Sequence, residues 1–488
     1  MTLPGRPSLV SFHLLSLLIL FFALQLVVAF LTYGYGFCFD EAMWQYIGRN
    51  WFRHGMVPYR GGVDNKSPLI FAIYGLSDKL FGVNFILPRI LGAVSQTIGL
   101  FFVYKIGWNI AEKRTALLAL TLYGLSLLWR GTGGKYVSFT ESYSVTAVII
   151  SFYFFLTAQK PVKFFLSGFF AGIGAAFRLT SFFPMAAILV LAATRNKKMA
   201  FVFFLGSLTG VLLFILFLWL SRININDFIA YGITDNFRAG SATDHSILWK
   251  LENFFEKFFY SELVLFYPGL VGYFFIAKKN NSILVWLLAA FIGINVVGIY
   301  DRVHLKEILP ALSLLNAFAI AHLIEHGKLP VQKVMIIIWI VFFPKLLEPL
   351  VGLKKWITHE GANAVQSGCQ PTAASADEYT QRELGRWIRS NTSAEARVLV
   401  AGYSAEIQAY SERMSPSIYF NATQTERAKH EFMEELTRHK PEMILIPRFA
   451  SYQQNVSPDT RRFIDNFVEM NYTYDSCRYG YAVYKKRD

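Results

Sequence analysis

Apolar runs close to the length of a bilayer crossing recur along the first 350 residues and then stop. The first covers residues 8–31. Others follow at 85–106, 115–129, 142–157, 162–177, 179–193, 199–220, 263–277, 283–299, 308–324 and 334–347. The runs predict about eleven membrane-spanning helices. The first is too long for a signal-peptide core and lacks a small-residue cleavage site after it, so it is read as an uncleaved span.

Charge then orients the helices. Arg6 precedes the first run; Lys105, Lys113 and Arg114 follow the second; Lys160 and Lys163 follow the fourth. Arg195, Lys197 and Lys198 follow the sixth, Lys278 and Lys279 the eighth, and Lys328 and Lys333 the tenth. Basic residues mark cytoplasmic loops, so the N-terminus is expected in the cytoplasm. An odd number of spans places the C-terminal part outside. The outer loops are longer and rich in polar and aromatic residues, above all 34–84 and 221–262. Amphipathic stretches at 41–54 and 247–260 suit helices lying in the membrane interface.

From about residue 370 the texture changes to alternating helical and strand patterns. Helices are expected at 376–390, 405–413, 426–439 and 458–470. Strands are expected at 397–402, 417–420, 442–447, 472–478 and 481–485. This is a small α/β domain, without a Gly-rich phosphate loop or nucleophile elbow. The organisation is therefore a polytopic α-helical membrane domain, 1–354, followed by an extracytoplasmic α/β accessory domain, 355–488.

Composition agrees: 54% of the 488 residues are apolar, with 46 Phe and 25 Tyr, as suits a lipid-facing surface with aromatic belts. The net charge of +14 sits largely in short runs between apolar stretches, not on one polar face, which argues against nucleic acid as a partner. Cys38, Cys369 and Cys477 lack metal-site spacing. A Cys369–Cys477 disulfide fits an extracytoplasmic setting.

Candidate chemistry gathers in the outer loops. Asp40 and Glu41 follow the first span. An isolated Asp-Glu is most simply a helix cap, but neighbouring carboxylates at a helix start point different ways, one toward a cleft and one toward a partner. Further along, Asp64-Asn65-Lys66-Ser67-Pro68 places a lysine beside the N-terminal end of a helix, where a cation and free N–H groups can hold an anion. A lysine at an anionic lipid surface is the plainer alternative. Arg89 lies in the first turns of an apolar helix, where an unpaired charge is costly.

The stretches FDEAMW (39–44), NKSPL (65–69), LFGVNFILPR (80–89) and DRVHLKEILPAL (301–312) together resemble the polyprenyl-phosphate-sugar-dependent glycosyltransferases. That superfamily includes the protein O-mannosyltransferases and the lipid A aminoarabinose transferases, and has the GT-C fold. The resemblance implies transfer of a sugar from a polyprenyl-phosphate donor to an acceptor lipid, glycan or protein at the outer face of the inner (plasma) membrane, with inversion. Asp40 matches the family's base and Glu41 its support. Lys66 matches the phosphate-side lysine, and Arg238 roughly matches a second phosphate contact. Arg302, His304 and Lys306 are candidates from the last loop, with Arg89 and Arg178 as possible support. In the aminoarabinose branch an acid before the lysine and a later histidine bind a metal. Here those places hold Asn65 and Asn236, so no metal is expected; Asp244-His245 is the nearest substitute. A flippase or transporter would carry ionisable groups near mid-membrane. A polysaccharide ligase would lack Asp-Glu directly after the first span, and a non-catalytic receptor would need neither feature.

Overall fold

The computed structural model describes residues 9–33, 39–128, 136–235, 247–256, 281–297, 302–327, short pieces between 330 and 340, 378–402, 405–420, 425–448 and 456–487. The chain divides into two compact units. One comprises residues 1–30, 89–217 and 244–349; the other comprises 31–88, 218–243 and 350–488.

The first unit is helical. Its elements are α1 (Leu9–Tyr33), α4 (Ile86–Ile110), α5 (Lys113–Leu128), α6 (Thr140–Leu156), α7 (Pro161–Phe177), α8 (Phe182–Arg195) and α9 (Lys197–Leu220). They are followed by α10 (Ile247–Phe255), α11 (Asn281–Val297) and α12 (Leu309–Glu325). Each matches an apolar run or amphipathic stretch read from the sequence. The runs at 263–277 and 334–347 lie wholly or largely outside the described residues. Among the described residues, α4 and α9 are long and apolar enough to cross a membrane, and shorter apolar helices accompany them.

Small residues let these helices approach closely. A Cβ built on Gly168 of α7 would lie 1.9 Å from the Phe203 carbonyl oxygen of α9, and one on Gly172 would lie 2.5 Å from that of Ser207. The relation is reciprocal: Gly206 and Gly210 of α9 meet the carbonyls of Phe165 and Phe169 at 2.1 and 2.6 Å. Two glycines four apart on each helix make this backbone-to-backbone packing possible. Between α6 and α7, Ser151 Oγ donates to the Ser167 carbonyl at 2.7 Å.

The second unit is assembled from three distant pieces of chain. Its first piece holds α2 (Phe39–His54) and α3 (Pro68–Phe81), the second runs on from the end of α9, and the third is the α/β segment. That segment contains α13 (Glu378–Ser390), α14 (Ala405–Ser411), α15 (Glu426–Arg438) and α16 (Pro458–Asn471). Its strands β1 (Val398–Val400), β2 (Met443–Pro447), β3 (Tyr472–Arg478) and β4 (Tyr481–Lys486) form one mixed sheet in the order β1-β2-β4-β3. The first pair is parallel and the other two are antiparallel. Leu384, Ile388, Val398, Val400, Ile407, Met443, Leu445 and Val483 close its core.

One expectation needs correction. Residues 417–420 form bends and irregular backbone, not a strand. Their amides are taken by nearby side chains: Ser417 N donates to Ser415 Oγ, Ile418 N to Glu435 Oε2 and Tyr419 N to Ser417 Oγ, at 3.0–3.2 Å. Such local bonds replace a ladder. The amphipathic stretch 41–54 is a helix, α2, packed within the protein. Every residue from Glu41 to Asn50 is buried, while α3 exposes the apolar stripe Leu76, Leu80 and Phe81.

Candidate functional site

The first turn of α2 carries Asp40 and Glu41, and its last turn carries Arg53 and His54, both in register with the helix dipole. The two acids separate. Glu41 is 1% exposed and accepts a hydrogen bond from the Tyr74 hydroxyl of α3 at 3.1 Å. Asp40 is only half-buried. Adjacent helical positions lie about 100° apart around the axis, so one carboxylate is fixed in the fold while the other keeps access to solvent.

Behind them, α2 and α3 are locked by a buried charge cluster that sequence reading missed. Asp78 of α3 is fully buried. It accepts from Gln45 Nε2 at 2.6 Å and Arg49 Nε at 3.1 Å, and pairs with Arg53 Nε at 2.5 Å. Arg49 also donates to the Ala409 carbonyl of α14 at 2.8 Å, and the Tyr46 hydroxyl accepts from Ser415 N at 2.8 Å. The α/β segment thereby holds the helix that presents Asp40. Its Glu406, in the first turn of α14, is 8% exposed. Burial, with a further contribution from the Asp40 charge, pushes its carboxyl up to about 7.

The loop after α2 brings Lys66 beside the same helix. Trp44 Nε1 donates to Asp64 Oδ2 at 2.8 Å, and Asp64 Oδ1 accepts from Asn65 N at 2.7 Å. Ser67 caps α3 and Pro68 occupies its first turn. Lys66 Nζ donates to Asn65 Oδ1 at 2.8 Å. The Asn65 amide oxygen, an acceptor of the kind hard cations also use, is here taken by an ammonium. Among the described residues, no three His, Cys, Asp or Glu side chains gather as a metal site would require. Asn236, Arg238, Asp244 and His245 lie outside the described residues, as do Cys38 and Cys369. Cys477 is disulfide-bonded.

In the first unit, the last-loop candidates fall in a 3-10 turn, Arg302–Glu307, where His304 and Lys306 share a buried charge cluster with Arg178. Arg178 pairs with Glu141, at the start of α6, at 2.5 Å and with Glu307 at 2.6 Å. Thr180 Oγ1 adds a bond to Glu307 at 2.8 Å, and His304 Nε2 stands 3.8 Å from Glu141. Lys306 donates to the Tyr136 carbonyl at 2.6 Å. Burial lowers its ammonium to about 8, although Glu141 opposes the shift. Burial likewise raises the Glu307 carboxyl, against the pull of Arg178. Glu141 and Glu307 were not singled out in the sequence. Their signal would have been an acid placed, like Arg178, where an apolar helix meets a loop. Arg302 is exposed at the start of the turn. Arg89 is 2% exposed and donates to the Ala29 carbonyl of α1 at 3.1 Å.

Comparison with known proteins sets this geometry in context. Residues 65–220 match the family model of dolichyl-phosphate-mannose-protein mannosyltransferase. No curated protein sequence matches the chain. ArnT from Cupriavidus metallidurans, in a crystal structure bound to undecaprenyl phosphate, is 14% identical with a TM-score of 0.62 over 96% of this chain and 97% of its own. The oligosaccharyltransferase AglB from Archaeoglobus fulgidus, in complex with an inhibitory peptide and a dolichol-phosphate, is 13% identical with a TM-score of 0.51, covering 89% of this chain and 69% of its own. The chain thus has the GT-C fold of these two proteins, and its residues 65–220 match the mannosyltransferase family's sequence pattern.

Proposed function

We propose that this protein is an integral membrane glycosyltransferase that moves a sugar from a polyprenyl-phosphate donor to an acceptor hydroxyl at the outer membrane surface, with inversion and with Asp40 as general base. The observation that carries this reading is the division of labour in α2: Glu41 is buried and bonded to Tyr74, while Asp40 stays half-buried beside a loop that holds Lys66.

In the reaction the acceptor oxygen attacks the anomeric carbon, its proton passes to Asp40, and the sugar–phosphate C–O bond breaks. The phosphate leaves as an anion, so the site needs cations there rather than a strong acid. Lys66 is the first of these, and Arg238, Arg302, His304 and Lys306 are assigned to the same phosphate side by family resemblance. Glu41 supports the helix that carries Asp40. No metal takes part in this scheme. The lipid-phosphate ligands named for ArnT and AglB support the donor class. In this reading the protein sits in the plasma membrane with about eleven helices, its N-terminus cytoplasmic and its α/β segment outside. The disulfide at Cys477 supports that last assignment, because disulfides persist in oxidising compartments.

The test is Asp40→Asn. Loss of a general base is expected to lower transfer by about 10²–10⁴-fold while the protein stays folded and still binds lipid phosphate. Mass spectrometry of the copurifying lipid supplies the donor for the assay. Undiminished transfer by Asp40→Asn sinks the assignment of the base, and lipid translocation without sugar transfer in proteoliposomes establishes the flippase reading instead.

A further inference from the structure

Within the second unit, one line of contacts runs from the α/β segment to the proposed phosphate lysine. Arg427 and Glu431, one turn apart on α15, pair at 2.8 Å. Arg427 Nη2 donates to the Tyr231 hydroxyl at 2.7 Å, and its guanidinium lies 4.6 Å over the Tyr231 ring. Glu431 also accepts from the Tyr419 hydroxyl at 2.6 Å. Tyr231 belongs to the π-helical turn Phe228–Thr234 that follows α9. Its ring stacks on Tyr59, with centroids 5.9 Å apart and planes at 14°. The Tyr59 hydroxyl donates to the Lys66 carbonyl at 2.8 Å.

Two features mark Tyr59 as held rather than merely packed. Its φ is +71°, a left-handed conformation that a bulky residue adopts only when its surroundings enforce it, at a cost on the order of 1–3 kcal/mol. Its side chain is also fully buried. The space above it is closed as well, since a Cβ on Gly232 would lie 3.0 Å from the Tyr59 hydroxyl. A second strut joins the same segments, Arg60 to Asp227 at 2.7 Å, but it is exposed and screened. The third piece of chain reaches the loop directly too: Val63 N donates to the Ile418 carbonyl at 3.1 Å.

We propose that Arg427 is a positioning residue for Lys66, acting through Tyr231 and Tyr59, so that the α/β segment clamps the loop that takes the donor phosphate. This rests on the assignment of Lys66 to that phosphate. Arg427 is 39% exposed, so its replacement removes the clamp without emptying a core. Burial and Glu431 raise the Tyr419 phenol and keep it a donor to that carboxylate. The arrangement therefore holds at neutral pH.

The experiment compares wild type, Arg427→Ala, Arg427→Lys and Tyr231→Phe, using undecaprenyl phosphate in detergent as probe and hydrogen–deuterium exchange over 57–67 and 221–235. Arg427→Ala is expected to weaken undecaprenyl phosphate binding about tenfold, since small misplacements of a binding group have large effects, and to speed exchange in both segments. Arg427→Lys recovers most of the affinity, which a purely structural loss would not. Tyr231→Phe, which keeps the ring and loses only the hydroxyl, gives a smaller change in the same direction. Unchanged exchange in 57–67 with Arg427→Ala overturns the clamp, as does unchanged affinity in that variant. Lys66→Ala serves as the separate control. If it leaves affinity unchanged, the donor assignment fails, while the exchange data still decide whether Arg427 holds the loop.

Discussion

Gly48 of α2 and Gly75 of α3 meet backbone to backbone: a Cβ on Gly48 would fall 2.4 Å from the Gly75 amide nitrogen, and one on Gly75 would fall 2.6 Å from the Gly48 carbonyl oxygen. This contact sets the distance between the helix that carries Asp40 and the helix that Lys66 precedes.

Gly48→Ala is accordingly expected to force α2 and α3 apart. Overpacking of this kind typically costs about 1–3 kcal/mol, and the bonds from Gln45 and Arg49 to Asp78 stretch with it. The expected outcome is a lower unfolding temperature in detergent together with reduced transfer. Wild-type values for both would show that the contact is not rigid.

Glu406 gives the α/β segment a pH dependence. Its carboxyl, ordinarily near 4.5, is raised to about 7 by burial and by Asp40, so the folded state holds the proton more tightly than the unfolded chain does. Its contribution is largest below pH 4.5, falls as pH climbs toward 7, and is flat above that. The difference corresponds to about 3 kcal/mol. Glu406→Gln should flatten the melting temperature between pH 5 and 7, and Asp40→Asn should lessen its slope. Equal slopes in all three proteins would contradict the coupling.

Arg178 neutralises two buried carboxylates, Glu141 and Glu307. Removing it as Arg178→Met strands charge in the interior, with an expected loss of about 3–5 kcal/mol. The triple change Arg178→Met, Glu141→Gln, Glu307→Gln should recover much of it, because the defect is the uncompensated charge. Thermal unfolding of the four single and combined variants checks this, and additivity would refute it.

Chelation addresses the metal. Asn65 offers only an amide oxygen already bonded to Lys66, so dialysis against a strong chelator is expected to leave transfer within twofold of the untreated protein. A loss restored by a divalent ion would require ligands other than these.

The sequence was most legible where periodicity alone decides structure. The helices at 426–438 and 458–471 and the strands at 443–447 and 472–478 follow from patterns contained within each segment. It was least legible where partners are distant. The amphipathic pattern of 41–54 has polar residues that suit water or headgroups equally well as Asp78, Gly61 and Ala409, their actual acceptors. Nothing local distinguishes these outcomes. Residues 417–420 have strand composition, but serine side chains and Glu435 intercept their amides. Asp40 and Glu41 were visible as a pair. That Glu41 would be the buried one depends on Tyr74, 33 residues away. The ring stack joining Tyr59 to Tyr231 left no trace in either segment.

The three-piece construction of the second unit also governs the order in which it can form. Arg49 finds its acceptor at Ala409, 360 residues later. At synthesis rates of 5–20 residues per second that is a delay of roughly 20–70 s. Throughout that interval α2 is already translated, yet Arg49 and Tyr46 lack the groups that bury them. The nascent loop therefore waits in an incomplete state, and shortening the chain before β1 should yield a protein that inserts its helices yet never assembles the segment carrying Asp40.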